Sequence, residues 1–349
     1  MTKFILTFTP IFKKNVIREL ESIDTHVIIG TSFDATTMLI ETSLEKTKFI
    51  KACLDKSLIF IKHMMPVDKV ETITYKKDND IELLIKSLNE YIKLNKNDKF
   101  AVQCRIKNIG YIKADYNSKD IEVALGMHFE KEGAVATFSD NKIINEDIHV
   151  ISIFIYDNNA YIGYSTSKEN LNFHCDEHRI ASREGREISR AENKLKEAIA
   201  KFNIKLSGEG YALDVGAAPG GWTKVLSDYG YNVIAVDPGD LKEELYKNSK
   251  IKHIKCRIED LTFENYFDVI VNDMNVDPEI TANIMNNLVK TLKKGGLAVV
   301  TFKLSNVSKS MEDIEKASKI LSKNYKVLMV KSLFHNRQEV TALLENKTK

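Results

Sequence analysis

The chain has 349 residues, which is long enough for two or three domains with hydrophobic cores of their own. Its 51 basic and 49 acidic residues leave a net charge of +2, so a surface that binds nucleic acid must be a local patch. The 4 cysteines form no C-x-x-C pair, which favours a reducing, cytoplasmic location and argues against a disulfide framework. No apolar run approaches the roughly 20 residues of a membrane-spanning helix, so we expect no membrane association.

Residues 1–65 alternate strand and helix patterns in the order β-α-β-β-α-β, starting with a strand rather than a signal peptide. The predicted strands are Phe4–Thr9, His26–Gly30, Thr37–Glu41 and Ser57–His63, and the predicted helices are Phe12–Glu21 and Leu44–Lys51. This order predicts a ferredoxin-like α+β domain. No cluster of titratable side chains indicates chemistry here, so we expect a scaffold or an RNA-docking role.

Residues 66–165 continue the mixed pattern. We predict a helix at Ile81–Leu94, a strand at Phe100–Ile106, a helix capped by Ser118, and strands at Val150–Tyr156 and Ala160–Tyr164. By pattern and placement, the segment is similar to THUMP domains, and that resemblance implies an RNA-docking domain. Lys107, Lys113 and Lys119 are candidate phosphate contacts, and a plain solvated surface is the alternative.

Residues 166–187 are predicted to be a linker into the last domain. Arg179, Arg183, Arg186 and Arg190 follow at spacings of four, three and four, so on a helix they would form one basic stripe. This stripe is either an RNA contact or a solvated face. His174, Cys175 and His178 suggest zinc, but no second ligand pair lies nearby and structural zinc needs four ligands, so we predict no metal site.

A glycine-rich turn is the central feature of residues 188–349. The apolar run Tyr211–Val215 predicts a strand, and a helix pattern resumes at Thr223. Between them, Gly216, Gly220 and Gly221 lack the Cβ atoms that would keep a ligand off the backbone. Backbone N–H groups at a helix start favour a small anionic group. An ordinary strand-to-helix turn is the alternative.

Carboxylates follow the neighbouring strand patterns. The strand Asn232–Val236 leads to Asp237, about twenty residues after Asp214, which is where doubly wound folds place an acid for a ribose. Asp260 is predicted to close a third strand, and Asp273 closes the apolar run that starts at Phe267. Four strands that each end on a carboxylate at one sheet edge predict a nucleoside pocket.

Four motifs in this order resemble those of the FtsJ-type S-adenosylmethionine-dependent RNA ribose 2′-O-methyltransferases. They are Gly216-Ala-Ala-Pro-Gly-Gly-Trp222, Asn272-Asp-Met274, Thr301-Phe-Lys-Leu304 and His335-Asn-Arg-Gln-Glu-Val-Thr341. The resemblance covers residues 188–349 and implies a Rossmann-like α/β methyltransferase sheet. The last motif, together with Ser189-Arg-Ala-Glu-Asn-Lys-Leu195, is closest to the RlmM group, which implies a cytidine of 23S ribosomal RNA as the substrate.

The resemblance also implies roles for individual residues. It assigns the ribose hydroxyl to four catalytic residues, Lys194, Asp273, Lys303 and Glu339, with Lys303 as the general base or principal orienter. It assigns S-adenosylmethionine to Ser189, Gly216, Ala218, Pro219, Gly220, Gly221, Trp222, Asp237 (ribose), Asp260 (adenine edge) and Asp273. From the residues themselves, Ser189 and Glu192 predict a capping box at the start of a helix through Leu195 and Phe202.

Three alternatives remain open at the level of sequence. The substrate can be tRNA instead of ribosomal RNA, since THUMP domains often accompany tRNA enzymes; DNA is not expected. The chain can be a non-catalytic assembly factor, against which the presence of all four catalytic residues counts. A nicotinamide-dependent oxidoreductase fits the fold but not the turn sequence. The sequence does not predict an oligomeric state.

Overall fold

The computed structural model describes residues 1–107, 114–137, 147–172, 188–260 and 263–348. These residues belong to two compact units, Met1–Arg179 and Ile180–Lys349. The predicted division into segments 1–65, 66–165, 166–187 and 188–349 stays a prediction. Lys113, the zinc candidates and three of the four stripe arginines (Arg179, Arg183 and Arg186) lie outside the described residues.

The first part of unit 1 is a four-stranded antiparallel sheet with the strand order β2-β3-β1-β4. Its elements are β1 (Thr2–Phe8), α1 (Lys13–Glu21), β2 (Ile28–Ser32), β3 (Thr37–Thr42), α2 (Lys46–Asp55) and β4 (Ile61–Val67). The predicted β-α-β-β-α-β order is confirmed, and the pairing is that of a ferredoxin-like fold. The last strand begins four residues later than predicted, because Ser57 has a φ of 52° and belongs to the turn after α2.

The second part of unit 1 is a five-stranded mixed sheet, ordered β5-β9-β8-β6-β7. Its elements are β5 (Lys69–Thr72), α3 (Lys77–Asn89), β6 (Lys99–Lys107), α4 (Ser118–Lys131), β7 (Val135–Ala136), β8 (His149–Tyr156) and β9 (Asn159–Thr166). The two sheets of the unit meet through aromatic side chains, with the rings of Phe33 and Phe154 4.9 Å apart. In the described part of the chain, no helix has both the length and the apolarity to cross a membrane.

Two details of this unit differ from the predictions. The cap of α4 is Asn117, one residue before the predicted Ser118. The Asn117 backbone is extended, and its side chain accepts the N–H groups of Lys119 (2.8 Å) and Asp120 (3.2 Å). Lys107 and Lys119, two of the proposed phosphate contacts, lie 3.3 Å from Asp34 and 3.8 Å from Glu122. These acidic neighbours favour the plain surface interpretation.

Unit 2 is a seven-stranded sheet with the order β12-β11-β10-β13-β14-β16-β15. The first five strands are parallel, and β16 is antiparallel to both β14 and β15. The predicted Rossmann-like α/β sheet is confirmed. Its elements are α5 (Ala191–Lys201), β10 (Tyr211–Val215), α6 (Gly221–Asp228), β11 (Asn232–Val236), β12 (Ile251–Ile254), β13 (Phe267–Asn272), α7 (Pro278–Leu288), β14 (Leu292–Lys303), α8 (Ser310–Leu321), β15 (Tyr325–Lys331) and β16 (Glu339–Asn346).

The central strands are buried on both faces, as their continuous apolar runs require. Their carboxyl ends share one edge of the sheet, and the antiparallel β16 starts at that edge. The prediction that four strands end on carboxylates is wrong for two of them. Asp214 lies inside β10, and β12 already ends at Ile254, so Asp260 falls in a short 3-10 turn at Ile258–Asp260.

Candidate active site

Two lysines and two carboxylates meet at the carboxyl edge of the sheet. Lys303 Nζ lies 2.6 Å from Asp273 Oδ1 and 2.6 Å from Glu339 Oε2. Lys194 Nζ lies 2.6 Å from Glu339 Oε1 and 3.2 Å from Asp273 Oδ2. Each cation therefore bridges both anions, and the four side chains form a closed ring of alternating charge, called the charge ring below. The structure brings together all four residues that the sequence assigned to catalysis.

Four different elements deliver the members of the charge ring. Asp273 directly follows β13, and Lys303 is the last residue of β14. Glu339 is the first residue of β16 and pairs in register with Lys303. Lys194 comes from the first turn of α5. Parallel strands end at a common edge, so the chain needs only one antiparallel return strand to place Glu339 beside Lys303.

The charge ring is mostly withdrawn from water. The side chains of Lys303 and Glu339 are 14% and 8% exposed, and those of Lys194 and Asp273 are 17% and 16% exposed. Burial disfavours the Lys303 ammonium, but the Asp273 and Glu339 carboxylates outweigh this effect and raise the pKa of Lys303 above its ordinary value. Lys303 is therefore a cation at neutral pH in this structure. That protonation state favours the orienting role over the general base.

The glycines of the turn between β10 and α6 are required by the chain itself, in addition to the predicted room for a ligand. Gly216 and Gly220 have φ angles of 72° and 108°, in the left-handed region that favours glycine. A Cβ at Gly216 would collide with Met274, and one at Gly220 would collide with Leu245. The missing side chains therefore admit neighbouring parts of the same chain, not only a ligand. Gly221 similarly admits the hydroxyl of Ser189.

Asp237 holds this turn in place. Its Oδ2 accepts the N–H of Ala218 at 3.0 Å, and its Oδ1 accepts the N–H of Gly239 at 2.7 Å. Each carboxylate oxygen keeps a second lone pair for a hydroxyl donor. The carbonyl of Pro219 accepts the N–H of Lys242 at 2.9 Å, which ties the next loop to the same turn. A half-buried carboxylate beside a glycine turn fits the predicted ribose contact.

Trp222 and Ser189 belong to the junction between α5 and α6. The Trp222 indole is buried in the hydrophobic core, and its Nε1 donates to the carbonyl of Ala191 at 2.7 Å. The predicted capping box is displaced by one residue, because Ser189 accepts the N–H of Ala191 and Glu192 accepts that of Ile188. The first residue before α5 is the exposed Arg190, whose side chain does not cap the helix.

Asp214 is buried beneath the turn. Burial raises the pKa of Asp214 to about 7, against the opposing effect of the Thr223 hydroxyl, which donates to it at 2.6 Å. Asp260, in contrast, is exposed, and its backbone N–H bonds to the carbonyl of Arg257. Among the described residues, Asp260 forms no hydrogen bond or ion pair with the turn.

Sequence reasoning missed the residues that hold the charge ring. Thr301 donates its hydroxyl to Asp273 Oδ1 at 2.7 Å, and Gln338 donates to the carbonyl of Leu304 at 2.8 Å. Both lie inside motifs that the sequence had singled out. Glu197 is the third missed residue; it accepts three hydrogen bonds from the segment before Glu339, and nothing in the sequence marked it. Within the described ranges, no group of three or more His, Cys, Asp and Glu residues could hold a metal ion.

Part of the chain is similar to known methyltransferases. Residues 188–344 match the family model described as FtsJ-like methyltransferase. The chain is 35% identical to an uncharacterized protein of Methanocaldococcus jannaschii over 167 residues, 46% of this chain and 47% of that protein. It is 30% identical to the ribosomal RNA large subunit methyltransferase M of a Shewanella species over 243 residues, 64% of this chain and 63% of that protein. These matches span about half to three fifths of the relatives' lengths.

Among solved structures, the crystal structure of TrmN from Thermus thermophilus aligns with 99% of this chain and 100% of its own. Its TM-score is 0.39 and its sequence identity is 11%. A likeness at this level carries no argument about function.

Proposed function

We propose that this chain, whose residues 188–344 form an FtsJ-like methyltransferase domain, transfers a methyl group from S-adenosylmethionine to a ribose 2′-hydroxyl of RNA. The observation that carries the proposal is the charge ring. Two lysines and two carboxylates converge at the sheet edge where doubly wound folds bind their ligands, and each lysine Nζ lies 2.6–3.2 Å from an oxygen of both carboxylates.

The residues beside the charge ring suit the proposed cofactor. No side chain caps the N-terminus of α6 at Gly220, so the N–H groups of its first turn suit a carboxylate such as that of a methionyl group. Asp237 suits the ribose. S-adenosylmethionine, when bound, supplies an electrophilic methyl group. We retain Ser189, Gly216, Ala218, Pro219, Gly221, Trp222 and Asp273 as proposed cofactor contacts, whereas the exposed Asp260 has least structural support.

The proposed reaction requires the protein to align the ribose 2′-hydroxyl and to accept the proton of that hydroxyl. A hydroxyl is a poor nucleophile while it keeps its proton, so the protein must orient it and accept that proton as the new bond forms. The Lys303 ammonium donates to the hydroxyl oxygen and fixes its direction. The acceptors for the hydroxyl proton are the carboxylates of Asp273 and Glu339. The proton therefore leaves late, after methyl transfer has begun.

We propose large-subunit ribosomal RNA as the substrate and a cytidine as the modified nucleotide. The relatives named ribosomal RNA large subunit methyltransferase M support this choice at about 30% identity. They do not extend over the whole chain, so tRNA is the second candidate. Unit 1, with its two α+β sheets, is proposed to dock the RNA.

The deciding experiment uses tritiated S-adenosylmethionine, purified protein and RNA from cells that lack the enzyme. Each labelled RNA is mapped for alkali-resistant 2′-O-methyl nucleotides, for the wild type and for Lys303→Ala. Label in large-subunit ribosomal RNA that disappears with Lys303→Ala supports the reaction and the site together. Label in tRNA instead would move the substrate. If the wild type binds the cofactor but labels neither RNA, the proposal is wrong and a non-catalytic assembly role replaces it.

A further inference from the structure

We infer that Glu197 is a positioning residue, which fixes the segment before Glu339 and so places the Glu339 carboxylate in the charge ring. The inference rests on the proposed function and adds a residue outside the four that contact one another. The Glu197 side chain is only 3% exposed and lies in the middle of α5. Glu197 is therefore a buried carboxylate and not part of a surface ion pair.

Glu197 binds two consecutive backbone groups and one side chain. Its Oε1 accepts the N–H of Phe334 at 2.6 Å, and its Oε2 accepts the N–H of His335 at 2.9 Å. The His335 Nδ1 lies 2.8 Å from the same Oε2. An ionised carboxylate only accepts, so Nδ1 carries the hydrogen and donates it. Three donors converge on one carboxylate, which defines both the backbone path and the ring orientation at this point.

The segment that Glu197 holds, residues 332–338, connects β15 to β16 and belongs to neither strand. Within the segment, Asn336 accepts the N–H of Leu333 at 2.8 Å and the hydroxyl of Thr341 at 3.1 Å. At its end, Gln338 donates to the carbonyl of Leu304 at 2.8 Å and accepts the N–H of Leu304 at 2.9 Å. Glu339 follows His335 by four residues and opens β16. The Glu197 bonds at Phe334 and His335 therefore fix the first part of the segment that leads into β16, and the Gln338 bonds fix its end.

Two residues of α5 determine the position of Glu339. Lys194 and Glu197 are three residues apart on α5, so they project from the same side of the helix. Lys194 binds the Glu339 carboxylate itself at 2.6 Å, and Glu197 binds the backbone that leads to it. The position of Glu339 relative to α5 is thus set twice, once at the side chain and once through the preceding chain.

Glu197→Gln tests this role with little change in shape. The glutamine retains one acceptor oxygen and presents an NH₂ group to donors that the carboxylate had satisfied, so at least one of the three bonds is lost. A misplacement of about 1 Å at a reacting group costs on the order of 100-fold in rate. We expect kcat per folded molecule to fall by roughly 30- to 100-fold. The dissociation constant of S-adenosylmethionine should stay within about threefold of the wild-type value. The proposed cofactor contacts in the glycine turn and at Asp237 follow β10 and β11, whereas Glu197 holds the segment before β16.

Glu19→Gln is the matched control. Glu19 is also a buried glutamate on a helix, and it also accepts two consecutive backbone N–H groups, those of Ile59 at 2.6 Å and Phe60 at 3.1 Å. It lies in unit 1, outside the methyltransferase domain. We expect Glu19→Gln to lower the melting temperature as much as Glu197→Gln does, with kcat per folded molecule unchanged.

A second readout does not depend on turnover. The ¹³C carboxyl resonance of Glu339, assigned with Glu339→Gln, should move in Glu197→Gln, and the amide protons of Phe334 and His335 should exchange faster with solvent. Wild-type kcat in Glu197→Gln, or equal losses of kcat in both variants, would overturn the inference. If the wild type methylates no RNA, the proposed function fails, and an unchanged Glu339 resonance in Glu197→Gln then overturns the positioning role separately.

Discussion

Replacement of Lys303 by methionine removes one cation from the charge ring and keeps most of the side-chain volume. Asp273 and Glu339 then share the single cation of Lys194. Loss of one partner of a fully buried ion pair costs about 3–5 kcal/mol, whereas an exposed pair contributes about 0–1 kcal/mol. The Lys303 side chain is 14% exposed and contacts two carboxylates, so it lies between these limits. We expect the free energy of unfolding to fall by about 2 kcal/mol.

The effect on catalysis should be larger than the effect on stability. Removal of the group that orients the hydroxyl should lower kcat by about 10²- to 10⁴-fold. Urea denaturation measures the stability, and single-turnover methylation at saturating S-adenosylmethionine measures the rate. The reasoning is refuted if Lys303→Met loses stability as expected but keeps kcat within about threefold of the wild type, since the charge ring would then be structural only.

Lys293→Met provides the control on the same strand. Lys293 stands near the start of β14, and Lys303 is its last residue. Lys293 forms a single ion pair with Asp268 at 2.8 Å, with side chains 42% and 30% exposed. Because water screens this pair, its loss should change the free energy of unfolding by less than about 1 kcal/mol and leave kcat unchanged.

Three further outcomes test other parts of unit 2 and of unit 1. Because burial raises the pKa of Asp214 to about 7, its stabilising contribution is complete below about pH 4 and is lost as the pH rises through about 7. Asp214→Asn should remove this pH dependence, which is no more than about 4 kcal/mol in the free energy of unfolding measured by urea denaturation between about pH 4 and 8. Asp237→Asn should weaken S-adenosylmethionine binding about tenfold in calorimetric titration, and an unchanged affinity would remove Asp237 from the proposed site. Gly220→Ala should cost about 2–3 kcal/mol by urea denaturation, because of its left-handed φ and the Leu245 side chain, whereas Gly126→Ala, in α4 with open space around it, should stabilise by about 0.5–1 kcal/mol.

The sequence predicted the order of the elements in unit 2 because each central strand is a short apolar run with a sharp end. The runs Tyr211–Val215 and Asn232–Val236 are strands with the bounds that the sequence predicted. Of the charge ring, the residues themselves marked only Asp273, as the acid that closes an apolar run, whereas Lys303 and Glu339 were assigned by the resemblance to a family. Lys194 came only from the resemblance to a family, because an isolated lysine on an amphipathic helix has no sequence signal of its own.

What the sequence did not predict depends on contacts between distant positions. The separation of Glu197 from Phe334 is 137 residues, and no local pattern relates a helical glutamate to backbone groups so far along the chain. Asp260 failed for a related reason: the end of β12 is set by its pairing with β11, which stops at Ile254, and not by the position of the next acid. The predicted helix caps Ser118 and Ser189 each differ by one residue from the observed cap positions, Asn117 and Arg190, which is the usual uncertainty at helix ends.

The closed form of the charge ring explains how a lysine that stays protonated could serve the proposed methyl transfer. A hydroxyl that enters the site must replace at least one of the four contacts between lysine and carboxylate. In an isolated ion pair, such an insertion would leave a charge without a partner in a poorly hydrated place, at a large cost in free energy. Here each lysine binds both carboxylates, so each charge retains one partner when one contact opens. A substrate hydroxyl can therefore gain both a donor, Lys303, and an acceptor, Asp273 or Glu339, without leaving any buried charge unpaired.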